Sequence, residues 1–202
     1  HISVAELARW YDAVIYAHGT AGDARMDIHG EDLRGCLAAR EFVAWYNGHP
    51  DYRNLDVDLS HERVVIIGNG NVALDVARIL TTAPDVLAST DIAGHALDAL
   101  RTSRVREGVL LGRRGPMHGA FNNPELEELG ELADVTVAVE YAEQHQAPTS
   151  LTPSTLRKLA TIDRYAQRPT TVSHKRIVLR FLTSPVQILG DIRTQGVVVA
   201  RN

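Results

Sequence analysis

The stretch Arg63-Val64-Val65-Ile66-Ile67-Gly68-Asn69-Gly70-Asn71-Val72-Ala73-Leu74-Asp75-Val76-Ala77-Arg78-Ile79-Leu80 decides how this chain folds. The run from Arg63 to Ile67 is apolar and β-branched almost throughout, as in a strand buried on both faces of a parallel sheet. A Gly-x-Gly-x-x-Ala turn follows at once. Gly68 can make the tight turn, Gly70 lets the backbone approach a pyrophosphate, and Ala73 is small enough for a helix to lie close to the strand. The pattern then changes to helical spacing, with Val72, Val76, Ile79 and Leu80 on one face, Ala73 and Ala77 toward the sheet, and Asp75 and Arg78 outward. A helix beginning here points free N–H groups and the positive end of its dipole at whatever sits over the turn, which favours an anion. Glycine turns also serve purely structural ends. The order strand, turn, helix makes a dinucleotide site the favoured reading.

Working outward, the next apolar run is Gly108-Val109-Leu110-Leu111-Gly112, and Arg113-Arg114 close it. The end of the second strand of a Rossmann unit presents an acid to the ribose hydroxyls of NAD, or an arginine to the 2′-phosphate of NADP. Guanidinium is a planar fork that matches phosphate oxygens and keeps its charge at any relevant pH. The pair therefore predicts NADP(H). A solvated basic turn is the bland alternative for these two residues taken alone. The segment from Pro84 to Arg106 lengthens the usual spacing and is expected to add helix.

The runs Gly68 to Leu80, Gly112-Arg113-Arg114-Gly115-Pro116 and Arg40-Glu41-Phe42-Val43-Ala44-Trp45-Tyr46-Asn47-Gly48 together resemble the NADP-binding domain of the adrenodoxin-reductase-like ferredoxin–NADP reductases, the bacterial, mycobacterial-type members above all. The resemblance extends to Tyr11-Asp12-Ala13-Val14-Ile15-Tyr16-Ala17, to Ile28-His29-Gly30-Glu31-Asp32-Leu33 and to Phe181-Leu182-Thr183-Ser184-Pro185. It implies a flavoenzyme in which FAD and NADP occupy two domains, with the NADP domain inserted between two halves of the FAD domain of the same polypeptide. Residues 1–17 are then the edge of the FAD domain and residues 18–202 the NADP-binding domain, with the crossing near His18-Gly19. The chain shows no second glycine fingerprint for FAD, so it is expected to be a fragment that is inactive by itself. The activity implied for the parent is ferredoxin–NADP+ reductase, with a ferredoxin as iron–sulfur partner.

Composition bounds these readings. The 202 residues are enough for a sizeable core, and 45% hydrophobic content is ordinary for a globular domain. No apolar run approaches the roughly 18 residues that span a bilayer, and no signal pattern opens the chain, so no membrane association is expected. The net charge of −4 argues against a nucleic-acid partner. A single cysteine, Cys36, excludes an intramolecular disulfide, a Cys-x-x-Cys pair and a protein-held iron–sulfur cluster. Cys36 reads as a structural thiol, and a reducing cytoplasm is the expected compartment. The nine histidines show no ligand spacing, so no metal is assigned.

The expected fold is α/β: a Rossmann-like three-layer domain with a parallel sheet and an added antiparallel β meander. Val4 to Trp10 reads as a short amphipathic helix, Tyr11 to Ala17 as a strand, Gly19 to Asp32 as a loop, and Leu37 to Asn47 as a helix ended by His49-Pro50. Pro124 to Leu132 reads as a short helix, Val135 to Val139 as a strand, and Ser154 to Gln167 as a helix with Ser154 at the N-cap. Lys175 to Leu182, Val186 to Leu189 and Val197 to Ala200 read as the strands of the meander.

Hydride transfer between nicotinamide and flavin asks the protein for position and electrostatics rather than a nucleophile. Gly68, Asn69, Gly70, Asn71 and Val72 are the expected pyrophosphate cradle, and Arg113 and Arg114 the 2′-phosphate clamp. The resemblance adds Glu125 at the adenosine end and an acid at Asp75 that can orient the nicotinamide side. Glu128, a helical turn beyond Glu125, is a weaker candidate, and a solvated carboxylate is the simpler account of both Asp75 and Glu128. His118 can reach the adenine or a phosphate, or be a surface residue. Arg157, Lys158, Arg164 and Arg168 form either a solvated helix face or a patch that steers an acidic ferredoxin. Mitochondrial members are expected to carry a basic residue where Glu127 stands here. Two other functions stay open on the sequence alone: a non-catalytic NADP(H)-sensing module, and the pyridine-nucleotide half of a glutamate-synthase small-subunit-like flavoprotein.

Overall fold

The structure is a computed structural model that describes residues 2–16, 22, 24–140, 151–168 and 175–202. Four strands, β1 (Arg63–Ile67), β2 (Glu107–Leu111), β3 (Val135–Glu140) and β4 (Lys175–Arg180), form one parallel sheet in the order β1-β2-β4-β3. Val65, Val109 and Val178 lie in one row across it, and Ile66, Leu110 and Leu179 in the next. Because successive side chains alternate faces, the second row joins Ile177 and Val137 on the face that meets the helices. The most deeply packed of these, α3 (Asn71–Thr81), buries Leu74 and Leu80 to 2% exposure and Ala77 to 0%. Each large side chain buried this way contributes about 1.5–3 kcal/mol. The lengthening segment supplies α4 (Pro84–Leu87) and α5 (Gly94–Arg101), while α2 (Ala39–Tyr46) adds Phe42, Trp45 and Tyr46 as a buried aromatic group against α3. The short α6 (Asn123–Glu128) and the longer α7 (Pro153–Gln167) complete that layer. Val109, Leu111 and Val178 face the other way and pack together, and Val65, Val109 and Leu111 line a cleft of about 1030 Å³ bounded by the hairpin of β5 (Thr183–Leu189) and β6 (Gly196–Arg201).

Several expectations are corrected. The run from Lys175 does not belong to an antiparallel meander. As β4 it lies inside the parallel sheet between β2 and β3, because Ile177, Val178 and Leu179 are apolar on both faces and buried to 1% or less. Among the described residues only β5 and β6 pair antiparallel. The chain leaves β4 at Leu182, which adopts φ 53°, and β5 begins before the expected Val186, so that Pro185 lies within it next to a register shift, where its missing N–H is tolerated.

Residues 11–16 of the expected Tyr11–Ala17 strand form no ladder, and Ile15 is 90% exposed. A strand needs a neighbour paired in register, and no described strand pairs with residues 11–16; Ala17 and the crossing at His18-Gly19 fall outside the described residues. The helix α1 (Val4–Trp10) forms, with a capping box between Ser3 and Glu6, yet buries nothing. The cap of α7 is Thr152, whose hydroxyl accepts from the Thr155 N–H at 3.2 Å, rather than Ser154. Pro153 at the first helical position explains the shift, since its fixed φ suits that place and it has no N–H to satisfy.

Candidate nucleotide-binding site

The site lies at the carboxyl ends of β1 and β2, where parallel α/β sheets present their loops. Gly68 takes φ 126°, which only glycine adopts freely, and its N–H donates to the Leu111 carbonyl at 2.9 Å, so the turn after β1 is tied to the end of β2. Gly70 is different. Its φ of −103° and ψ of 179° suit any residue, and a Cβ built on it would meet nothing nearer than the Ala120 Cβ at 4.0 Å. The protein's own packing gives no reason for glycine there. Close approach of a ligand to the backbone would.

The first turn of α3 carries no acidic residue, and its N-cap, Gly70, offers no side-chain bond. The N–H groups of Asn71 and Val72 find no acceptor among the described residues, which leaves the positive end of the helix open to an anion. Val72, expected on the buried face, is 50% exposed at this mouth while Leu74 takes the core position.

Two loops hold the turn in place. The Ala120 N–H donates to the Asn69 carbonyl at 2.9 Å, and the Asn69 side-chain amide lies so close to Gly112 that a Cβ there would come within 2.7 Å of it. Asn71 accepts from the Asn122 N–H at 2.8 Å through Oδ1 and donates through Nδ2 to Glu125 Oε1 at 3.2 Å. Glu125 Oε2 is buried and has no partner among the described residues. A buried acceptor without a donor costs free energy unless a ligand supplies one. Glu125 therefore faces the same helix mouth as the glycine turn.

Arg113 and Arg114 follow β2 on the far side of Gly112. Both are exposed, and neither guanidinium has a hydrogen-bond or ion-pair partner among the described residues. Most of the other cations near this end of the molecule are engaged. Arg157 forms a two-point ion pair with Glu127 at 2.7 and 2.5 Å, Arg164 donates to Thr161 at 2.9 Å, and Arg168 stacks on Tyr165 with its carbon 5.1 Å from the ring centre. Lys158 turns inward onto the Gly119 carbonyl and over Phe121, and burial pushes its ammonium below the usual lysine range. These four are thus committed within the molecule, and the carboxylate at Glu127 is explained by Arg157, whose hydrogen bond holds it below its ordinary range.

Asp75 and Glu128 meet on one cation. Arg78 lies 2.8 Å from Asp75 Oδ1 and 3.5 Å from Glu128 Oε2, an ion cluster on the outer flank of α3 and α6. Asp75 also faces α2, where burial first and then the Asp75 charge push the Tyr46 phenol above its usual range. His118 is exposed on a 3₁₀ turn. Cys36 is half-buried, and burial raises its thiol. Sequence reasoning missed Asn69 packing on Gly112, the link from Asn71 to Glu125, and Lys158 as an internal brace; only Gly112, a glycine at a strand end, carried any local sign.

No family model matches the chain. NADPH-ferredoxin reductase FprA of Mycobacterium tuberculosis is 47% identical over 206 aligned positions, covering 100% of this chain and 45% of that protein. The structure of Mycobacterium tuberculosis FprA in complex with NADPH superposes with a TM-score of 0.89 at 46% identity, again over 100% of this chain and 45% of that one. The mitochondrial NADPH:adrenodoxin oxidoreductase of Arabidopsis thaliana is 45% identical over 161 residues, 79% of this chain and 32% of that protein. The chain belongs to the adrenodoxin-reductase-like ferredoxin–NADP reductase family. It spans about half the length of the FprA relatives it matches, 45%. Membership accounts for the α/β architecture with its parallel sheet and small antiparallel sheet. Among the described residues no helix is long and apolar enough to cross a membrane.

Proposed function

We propose that this chain binds NADP(H) for a flavin-dependent ferredoxin–NADP reductase. The pyrophosphate lies over Gly68, Asn69, Gly70, Asn71 and Val72 at the mouth of α3, the 2′-phosphate lies between Arg113 and Arg114, and Glu125 contacts the nucleotide with its unpaired oxygen. The observation that carries this reading is the pair of guanidiniums just after β2, without a partner among the described residues, together with a glycine turn whose second glycine the protein itself does not need. NADPH, when bound, supplies a hydride. The residues here supply fixed N–H groups, fixed positive charge and orientation. Asp75 and Glu128, tied through Arg78, brace α3 against α6 rather than handle protons.

We assign residues 1–17 to the edge of an FAD domain and residues 18–202 to the NADP-binding domain. The exposed apolar side chains of Val4 and Trp10 on α1, and of Ile15, support that division. FAD then belongs to the remainder of the polypeptide, a ferredoxin is the electron partner, and a reducing cytoplasm suits the single Cys36. The names of the relatives favour a reductase over a sensor or a glutamate-synthase relative. Calorimetric titration of the wild type and of Arg113→Ala and Arg114→Ala with NADPH and NADH tests the reading. Each substitution removes a charge-assisted contact worth roughly 1.5–3 kcal/mol from NADPH alone. Equal losses for both nucleotides would show that these arginines do not read the 2′-phosphate.

A further inference from the structure

Unpaired arginines on a loop discriminate between nucleotides only if the loop backbone is held, because each long side chain already has its own rotamers to order. The backbone from Gly112 to Arg114 is held at every residue, and from one side. Gly112 donates its N–H to the Arg180 carbonyl at 2.8 Å and accepts at its own carbonyl from the Thr183 N–H at 3.0 Å. The Arg114 carbonyl accepts from the Leu182 N–H at 3.3 Å. The carbonyl between them, that of Arg113, has a side-chain donor: Asn202 Nδ2 at 2.6 Å, which also reaches Ser184 Oγ at 2.8 Å. Asn202 is itself fixed by its backbone N–H on the Leu182 carbonyl at 2.8 Å.

We infer that Asn202 is a positioning residue for the 2′-phosphate clamp: its amide fixes the Arg113 peptide, and with it the direction in which the Arg113 guanidinium is presented. This rests on the NADP(H) reading above. The hydrogen bonds of Asn202 go to Arg113, Ser184 and Leu182 and not to the glycine turn, so its influence falls on the 2′-phosphate and not on the pyrophosphate. The other ties of the loop are backbone to backbone and survive any substitution at position 202. Asn202 is also exposed, so its replacement opens no cavity.

The test is Asn202→Ala in this chain, alone and combined with Arg113→Ala, with dissociation constants for NADPH and NADH and a thermal melt of each protein. Loss of one positioning hydrogen bond corresponds to about a fivefold weakening. The expected result is about that loss for NADPH, no change for NADH, an unchanged melting temperature without nucleotide, and no further loss when Asn202→Ala is added to Arg113→Ala. Unaltered NADPH affinity, equal losses for both nucleotides, or full additivity with Arg113→Ala overturns the inference while leaving the clamp itself standing. A wild-type chain that shows no preference for NADPH overturns both.

Discussion

Replacing Gly70 by alanine separates what the glycine turn does for the protein from what it does for a ligand. The backbone there already has φ −103° and ψ 179°, and the new Cβ would stand 4.0 Å from its nearest neighbour, so the fold accepts the methyl without adjustment. Two small effects on stability oppose each other. Alanine is a poorer N-cap than glycine by a few tenths of a kcal/mol or more, while a less flexible unfolded chain returns about 0.4–1 kcal/mol. The melting temperature without nucleotide should therefore barely move. Binding should not be spared, because in the proposed mode the methyl would occupy the space through which a pyrophosphate reaches the N–H groups of Asn71 and Val72. Losing one charge-assisted bond, about 1.5–3 kcal/mol, weakens the nucleotide at least tenfold. At a concentration 100 times the wild-type dissociation constant, NADPH stabilises the wild type by about 2.7 kcal/mol and the variant by about 1.4 kcal/mol or less. For a domain of this size the nucleotide-dependent rise in melting temperature then shrinks by at least about 3–5 °C. Thermal melts with and without NADPH measure it. A full rise retained in Gly70→Ala would show that the turn is structural and that the nucleotide binds elsewhere.

Ala73→Leu should fail differently: Ala73 is 7% exposed beneath α3, so the larger side chain overpacks the helix against the sheet and lowers stability by about 1–3 kcal/mol even without nucleotide, which a urea titration will detect or refute. Asp58 is held below the usual aspartate range by the Ser60 hydroxyl and then by the Ser60 N–H, and its carboxylate also meets Arg193 at 2.9 Å. A depressed folded-state pKa gives stability that is present above the unfolded value and lost as pH falls through the folded one, so melting temperature should drop on acidification below about pH 4. Asp58→Asn should flatten that part of the curve, and identical slopes in the two proteins would refute the assignment. Purified alone, the chain is expected to fold without flavin and to lack diaphorase activity; a yellow preparation releasing stoichiometric FAD on denaturation contradicts the domain assignment.

Much of the sheet was legible because its signals are local. The β-branched run before Gly68 and the apolar run before Arg113 each fit within one strand, and the two strands pair in parallel, as a strand-turn-helix-strand unit requires. The neighbours of a strand are not local information. Lys175 to Leu182 reads the same whether it enters a parallel sheet or an antiparallel one, and only the burial of Ile177 and Val178 on opposite faces settles that β4 is interior. The same holds for side-chain direction on α7. Arg157 and Lys158 are consecutive, yet one reaches Glu127 and the other turns beneath the loop at Gly119, because helix rotation and the position of α6 decide it. At the site, the glycines and arginines announce themselves by type. Asn202 does not, since nothing in its neighbourhood in the sequence connects it with Arg113.

The most direct test of the account is a crystal structure of this chain with NADP+. The account predicts the pyrophosphate against the N–H groups of Asn71 and Val72, the 2′-phosphate between Arg113 and Arg114, and a donor from the nucleotide on Glu125 Oε2. Nucleotide bound instead in the cleft between Val109, Leu111 and the β5–β6 hairpin, or at the arginines with the glycine turn empty, would contradict it.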